Sequence, residues 1–292
     1  MTITQPTKNH SMREVEEGEE KLSHECKQLL LSLPKEKGWR TPHLYLYQNF
    51  WCQPNEIQTI MTIQQHFQAT DTDIILAIIP KSGTTCLKAL AFAIVNRKSF
   101  LVAKKHPLLA SNPHDLEPFL KYKLYANNQL PDLSGLPSRR IFATHIPFAS
   151  LPESMKMSNS RIVYLCRNPF DTFISSWHFL IKVRPESLGL FLIEEVFEMF
   201  CDGVVGFGPF GDHMLGYWKE SLESPHKVLL LKYEDMKEDI TLHLKRLANF
   251  EYLKVLEVNK TGKSIANFEN KSLFRKGGVG DWVNHLIPVM VD

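Results

Sequence analysis

The sequence has little net charge, because its 34 Lys and Arg residues nearly balance its 32 Asp and Glu residues. A chain with a formal charge of +2 has no strong overall field that would attract nucleic acid or an anionic membrane surface. We therefore expect neither nucleic acid nor membrane among its partners. Any site that binds an anion has to be built from a local cluster of donors.

Cysteine is scarce, and its spacing is irregular. The five cysteines include no CxxC pair, so the sequence indicates neither a disulfide framework nor a zinc site. We expect a cytoplasmic protein with free thiols and no bound metal. The N-terminal residues are polar and acidic, unlike a secretory signal. No apolar run approaches the roughly 20 residues that a membrane-spanning helix requires.

The chain shows no repeat and no internal linker rich in Gly, Ser or Pro. Residues 1–28 are rich in Glu and poor in large apolar side chains, which predicts a disordered N-terminal arm. Residues 29–292 are long enough for one α/β domain with a sizeable core.

Short apolar runs alternate with segments that have helical patterns, which predicts a three-layer α/β fold with a central parallel sheet. The near-continuous aliphatic run at residues 74–79 is typical of a strand buried on both faces. The other predicted strands are Arg140–Thr144, Arg161–Cys166 and Val228–Lys232. The predicted helices are Leu87–Asn96, a helix beginning at Pro169, Phe191–Phe200 and Met236–Asn249.

The segment Pro80-Lys81-Ser82-Gly83-Thr84-Thr85 lies between the first predicted strand and a predicted helix. A glycine allows a tight turn, and successive N–H groups at a helix N-terminus can surround an anion. Lys81 adds a cation, and the three hydroxyls add donors. The spacing is not that of a Walker A motif, and a simple polar turn remains an alternative interpretation of this segment.

Three weaker signals follow later strands. Arg167 stands at the end of the third predicted strand, with Ser175 in the next helix, where ligands of open α/β sheets collect. His145 ends the second strand and is a candidate general base, since its usual pKa is about 6.5. Arg275, Lys276 and Gly277 begin a basic, glycine-rich segment that could equally be a solvated turn.

Taken together, these segments resemble the soluble PAPS-dependent sulfotransferases, and the plant-type branch in particular (PAPS is 3′-phosphoadenosine-5′-phosphosulfate). The resemblance extends from about residue 30 to the end of the chain. The segments that carry it are EKGWR at 36–40, PKSGTT at 80–85, ATHIP at 143–147, YLCRNPFDTFISSWHF at 164–179, YEDM at 233–236, NKTGK at 259–263 and RKGGVGDW at 275–282.

The resemblance implies a role for each site residue. Lys81, Ser82, Gly83, Thr84 and Thr85 would form a P-loop-like loop around the 5′-phosphosulfate of PAPS. Tyr233 and position 86 would lie at the adenine, and the 3′-phosphate would be held by Arg167, Ser175, Arg275, Lys276 and Gly277. His145 would remove the proton of a hydroxylated small-molecule acceptor, and adenosine 3′,5′-bisphosphate would be the product. The acceptor pocket would be apolar, built from segments such as 50–51 and 207–210.

The sequence departs from the family pattern in three places. Cys86 stands where the family usually has Trp, and residues 250–256 replace a longer segment. We also expect the family's C-terminal tail after Asp292 to be missing. Two other functions therefore stay open: a catalytically impaired, sulfotransferase-like nucleotide-binding protein, and a P-loop kinase or NTPase. The acceptor also stays open among flavonols, brassinosteroids, hydroxyjasmonates and desulfo-glucosinolates, as does the oligomeric state.

Overall fold

The computed structural model describes residues 22–97, 99–100, 106–126, 129–136, 139–238, 263–264, 268–269 and 278–291. Helix α1, His24–Ser32, begins inside the arm that the sequence predicts to be disordered. Ser23 caps this helix by accepting a hydrogen bond from the Cys26 amide at 3.1 Å, and Leu22 and Cys26 are buried. The predicted disorder of residues 1–28 is therefore wrong at its C-terminal end, because buried side chains hold that end to the core.

The centre of the molecule is the predicted parallel sheet. Its four strands are β4, Ile74–Ile78, β5, Ile141–Thr144, β6, Arg161–Cys166, and β7, Val228–Lys232, in the spatial order β5-β4-β6-β7. All neighbouring strands are parallel. Their carboxyl ends consequently meet at one edge of the sheet, which is where ligands of open α/β sheets bind.

Alternate residues of the strands pack into different hydrophobic clusters, as the period of a strand requires. Ile75 and Ala77 join a cluster that contains helix α2, Pro54–His66, whereas Leu76 and Ile78 join one that contains helix α3, Thr84–Val95. Both faces of the sheet are covered, so the predicted three-layer α/β architecture is confirmed.

The remaining helices connect and cover these strands. They are α4, Pro113–Leu116; α5, Glu153–Met157; α6, Pro169–Val183; α7, Ile193–Cys201; α8, Phe210–Glu223; and α9, Tyr233–Glu238. The helix predicted at Met236–Asn249 falls mostly outside the described residues. Helix α3 begins three residues earlier than predicted, because Gly83 rather than a residue further along the chain serves as its N-cap.

The sequence did not predict a small antiparallel sheet near the start of the chain. Strands β1, Lys35–Lys37, β2, His43–Tyr47, and β3, Phe50–Cys52, pair in order. Strand β3 also holds a distant loop, since Trp51 exchanges backbone hydrogen bonds with Phe207 and Gly208 at 2.7 and 2.8 Å. A further short pair, β8, Lys263–Ser264, and β9, Phe268–Glu269, lies near the end of the chain.

Candidate active site

The Pro80–Gly83 loop follows strand β4 and leads directly into helix α3. Gly83 has a φ of 109°, a conformation that L side chains rarely adopt. A Cβ atom there would come within 2.6 Å of the Tyr233 ring, so glycine is required on two grounds. Lys81 also has a left-handed backbone, with φ at 67°. This backbone path places the N-terminus of α3 at the carboxyl edge of the sheet.

The three hydroxyl groups of this segment have different surroundings. Thr84 Oγ1 is buried and has no hydrogen-bond partner among the residues that the structure describes. Thr85 Oγ1 lies 3.0 Å from His114 Nε2. The Ser82 hydroxyl is fully buried and forms a hydrogen bond with Thr172 Oγ1 at 3.1 Å, which joins the loop to helix α6. The expected contact of Ser82 with an anion stays a prediction.

Arg167 leaves the end of β6 and connects two loops. Its guanidinium donates to the carbonyl oxygens of Lys81 at 3.3 Å and Gly278 at 2.8 Å. It lies over the Tyr233 ring, 4.6 Å from the centroid, and 3.8 Å from the Asp171 carboxylate. Its Nε atom is buried without a hydrogen-bond partner in the described part of the chain. The N–H group of this permanently charged side chain is therefore available to a ligand.

Asp171 anchors the start of the last described segment. Its carboxylate accepts hydrogen bonds from the amides of Gly280 at 2.8 Å and Trp282 at 3.2 Å. The predicted site residues Arg275, Lys276 and Gly277 lie outside the described residues. Together with the bond from Arg167 to the Gly278 carbonyl oxygen, these contacts hold residues 278–282 beside the end of β6.

Lys81 packs against helix α6, which also carries Ser175. The Lys81 ammonium lies 4.4 Å from the centre of the Phe179 ring on helix α6. Ser175 precedes Phe179 by one helical turn and is buried. Both residues line the cavity described below.

His145 follows β5, and a backbone carbonyl of the neighbouring strand β4 fixes its ring. Its Nδ1 donates to the Ile78 carbonyl oxygen at 2.5 Å, an arrangement that leaves Nε2 as the acceptor of a neutral ring. The His145 carbonyl accepts from His213 Nε2 at 3.0 Å, and His213 Nδ1 accepts from the Tyr164 hydroxyl at 3.0 Å. Burial lowers the pKa of His145 to about 3, so the ring is neutral at pH 7.

One cavity of about 200 Å³ joins these groups. The predicted site residues that line it are Lys81, Gly83, Thr84, Thr85, Cys86, His145, Arg167, Ser175 and Tyr233. Each of the four parallel strands thus contributes a residue from the segment at its carboxyl end. The sequence places these residues up to 152 positions apart, from Lys81 to Tyr233, and the sheet topology brings them together.

Cys86 and Tyr233 lie between the hydrophobic core and the cavity. Each is buried in the hydrophobic cluster around Leu76 and Ile78, and each also lines the cavity. Burial raises the pKa of the Cys86 thiol to about 11, so it is protonated at pH 7.

The other end of the cavity contains residues that sequence analysis missed. Glu56 and Tyr122 line it, and Glu56 forms a buried ion pair with Lys121. The Tyr122 hydroxyl donates to Glu56 Oε1 at 3.3 Å. No local pattern marks these residues, because the pair spans 65 positions of the sequence. Of the segments predicted to form the acceptor pocket, Phe207 lines the cavity, whereas Phe50 packs against His213 instead.

Within the described ranges, no helix is long and apolar enough to cross a membrane. Within the same ranges, no group of three His, Cys, Asp or Glu residues could hold a metal ion. The expectation that no metal is bound stays a prediction.

Comparisons with known proteins show the family to which the chain belongs. The sulfotransferase domain model matches residues 71–292. Cytosolic sulfotransferases 15 and 14 of Arabidopsis thaliana are 55% and 52% identical to this chain; each alignment covers 94% of it and 84% and 87% of the relative, respectively. The relatives' names support the predicted cytoplasmic location.

Solved structures share the fold. An Arabidopsis thaliana protein, provisionally described as a steroid sulphotransferase, is 42% identical, with 92% of each chain covered and a TM-score of 0.70. Mouse sulfotransferase SULT7A1 in complex with PAP is 24% identical, with 85% of this chain and 91% of that chain covered and a TM-score of 0.65. The chain therefore belongs to the plant-type cytosolic sulfotransferase family and is a PAPS-dependent sulfotransferase, as its motifs predict.

Proposed function

We propose that PAPS lies along the carboxyl edge of the sheet and that His145 activates a hydroxyl of a small-molecule acceptor at the other end of the cavity. The observation that carries this proposal is the convergence of residues from all four strand ends on one cavity. The mouse neighbour is a complex with PAP, the desulfonated form of the same nucleotide.

At the donor end, the 5′-phosphosulfate fits the N-terminus of helix α3. The Thr84 hydroxyl is buried there with no partner among the described residues, and a buried hydroxyl without a partner is costly. A bound anion would supply the missing acceptor. The helix dipole and the Lys81 ammonium favour negative charge at this place.

At the other end of the nucleotide, Arg167 fits the 3′-phosphate. Its buried Nε has a donor to offer, and Ser175 lies on the neighbouring helix. Arg275, Lys276 and Gly277 complete this subsite in our proposal. Asp171 supports it by fixing the amides of Gly280 and Trp282. Tyr233 and Cys86 form the wall assigned to the adenine.

The reaction is a single in-line transfer. His145 Nε2 takes the proton of the acceptor hydroxyl as its oxygen forms a bond to sulfur. The bond between sulfur and the bridging oxygen of the 5′-phosphate breaks, and adenosine 3′,5′-bisphosphate leaves. Lys81 stabilises the negative charge that develops on the leaving phosphate oxygen, and fixed positive charge is an effective way to lower such a barrier.

The acceptor end favours a largely apolar molecule that bears a hydroxyl. Rings of Phe119, Tyr122 and Phe207 lie around His145, with centroids 4.9, 6.1 and 5.9 Å from the imidazole. Aromatic walls bind the apolar body of a ligand, and a few polar groups orient it.

The test is a PAPS-coupled screen of hydroxylated plant metabolites on the purified full-length chain. Formation of a sulfated product and adenosine 3′,5′-bisphosphate supports the proposal. Nucleotide binding without turnover on any acceptor would favour the impaired, nucleotide-binding alternative. Magnesium-dependent turnover of ATP in the absence of PAPS turnover would favour the kinase or NTPase.

A further inference from the structure

We propose that Lys88, His114 and Thr85 form a hydrogen-bonded chain that turns the Thr85 hydroxyl hydrogen toward the 5′-phosphate. In this arrangement His114 is a positioning residue for nucleotide binding. The inference rests on the proposed function, because it assigns the nucleotide to the N-terminus of helix α3. It adds to that function a group from a different part of the chain.

The chain of contacts is continuous and buried. Thr85 Oγ1 lies 3.0 Å from His114 Nε2, and His114 Nδ1 lies 3.3 Å from Lys88 Nζ. Lys88 is fully buried, and His114 and Thr85 are 3% and 8% exposed. Thr85 and His114 line the cavity, whereas Lys88 is not among the lining residues. The chain therefore connects the interior of the protein to the anion end of the cavity.

The imidazole of His114 is fixed at its edges and on one face. The Asn112 side chain accepts from the His114 amide at 2.9 Å and begins the short helix α4. The ring stacks on Phe119, with centroids 5.6 Å apart and planes 12° from parallel. Phe119 is itself bridged to Ala143 of strand β5. These contacts leave the ring little freedom to turn away from Thr85.

The proposed direction runs from Lys88 to Thr85. The Lys88 amine has hydrogens to donate whether or not it is charged, and it lies 3.3 Å from His114 Nδ1. In the proposed chain Lys88 donates to Nδ1, so the hydrogen of a neutral ring lies on Nε2. Burial lowers the pKa of His114 well below its usual value, which keeps that ring neutral. Burial also lowers the pKa of Lys88 well below its usual value, and the nearby Glu117 opposes this shift only in part.

The direction of this chain determines where the hydroxyl hydrogen of Thr85 points. If His114 Nε2–H donates to Thr85 Oγ1, the single hydroxyl hydrogen of Thr85 is free to point toward the cavity. The reverse direction would turn that hydrogen toward His114 and present oxygen lone pairs to an incoming phosphate. The chain thus makes Thr85 a donor before the nucleotide arrives, which is the preorganisation that strong anion binding requires.

A double-mutant cycle on adenosine 3′,5′-bisphosphate binding tests the inference without relying on turnover. The variants are His114→Leu, Thr85→Val and their combination, with calorimetric titration as the measurement. We expect each single change to weaken binding by about ten-fold, the size of one hydrogen bond to a charged group. The double variant should bind no more weakly than Thr85→Val alone, because His114 acts through that hydroxyl.

Two further variants separate positioning from packing. His114→Gln keeps a donor for Thr85 and an acceptor for Lys88, so it should bind within about three-fold of the parent. Lys88→Met keeps the length of the side chain and removes the donor. It should also weaken binding severalfold although Lys88 does not line the cavity. Melting curves identify any variant that fails to fold, and the remaining variants still complete the test.

The outcomes are distinct. Failure of the parent protein to bind the nucleotide would contradict the proposed function itself. If the parent protein binds the nucleotide and the losses of affinity in His114→Leu and Thr85→Val add up in the double variant, His114 does not act through the Thr85 hydroxyl. That result would overturn the inference. Unchanged binding in folded His114→Leu or Lys88→Met would overturn it as well.

Discussion

His145 donates through Nδ1 to the carbonyl oxygen of Ile78, 2.5 Å away on the neighbouring strand of the sheet. The bond turns the basic Nε2 atom of a neutral ring away from the sheet. Because Ile78 also ends the strand that leads into the Pro80–Gly83 loop, one contact connects the proposed general base to the proposed donor site.

Replacing His145 by alanine should abolish turnover and leave nucleotide binding nearly intact. Removal of a general base typically costs about 10²–10⁴-fold in rate. The measurements are initial rates with PAPS and titration with adenosine 3′,5′-bisphosphate. His226→Ala, at an exposed histidine, is the matched control. Turnover by His145→Ala at the rate of the parent would remove His145 from the mechanism.

The stability of the protein should fall as the solution becomes acidic. Burial lowers the pKa of His145 to about 3 and that of His213 to about 4, whereas the unfolded chain takes up these protons near pH 6.5. Below that pH the unfolded state binds more protons, so the free energy of unfolding decreases. Each histidine contributes up to about 1.4 kcal/mol per pH unit.

Denaturant unfolding at pH 5 and pH 6 checks this dependence. For the parent protein we expect the two histidines together to lower the free energy of unfolding by about 2 kcal/mol between these values. His213→Gln should reduce that difference by about 1 kcal/mol. An equal difference in parent and variant would contradict the assignment of His213 as a buried neutral group.

Arg167→Ala should weaken the binding of adenosine 3′,5′-bisphosphate much more than that of adenosine 5′-monophosphate, which lacks the 3′-phosphate. Loss of one hydrogen bond to a charged group costs about 1.5–3 kcal/mol. Arg161→Ala is a matched control, since Arg161 is exposed at the opposite end of the same strand. Equal losses for the two nucleotides would place the 3′-phosphate elsewhere.

Lys121→Met should destabilise the fold strongly, because it leaves the Glu56 carboxylate buried without its cation. Both side chains of this ion pair are at most 7% exposed. Breaking such a pair typically costs about 3–5 kcal/mol, whereas removing both charges costs far less. The double variant Glu56→Gln/Lys121→Met should therefore recover most of the loss in denaturant unfolding. A double variant as unstable as the single one would contradict this account.

Cys86→Trp should tighten nucleotide binding if position 86 faces the adenine. Stacking of a base on an aromatic ring is worth about 1–3 kcal/mol in single-stranded nucleic-acid complexes, which sets the scale. The competing effect is overpacking, because Cys86 also belongs to a buried cluster. Overpacking typically destabilises by about 1–3 kcal/mol.

The two effects differ in sign and are measured separately. Titration with adenosine 3′,5′-bisphosphate reports stacking, and a melting curve reports overpacking. A folded Cys86→Trp protein whose nucleotide affinity is unchanged or weaker would contradict the stacking hypothesis.

The sequence alone predicted the parallel sheet and the residues that follow its strands. Apolar runs mark buried strands locally, and ligands gather at the carboxyl edge of such sheets. Lys81, His145 and Arg167 each come after one of these runs. The prediction that they assemble into one site therefore required no knowledge of distant contacts.

The tertiary structure alone decided which groups support that site. The Glu56–Lys121 ion pair spans 65 positions, and the contact between Lys88 and His114 spans 26. The Ser82 hydroxyl forms a hydrogen bond with Thr172 Oγ1, 90 positions away, which the sequence did not indicate. Partners of buried polar groups are chosen by packing between elements, and no pattern of neighbouring residues records that choice. The residues at the strand ends could therefore be predicted from the sequence, whereas the polar contacts that support them could not.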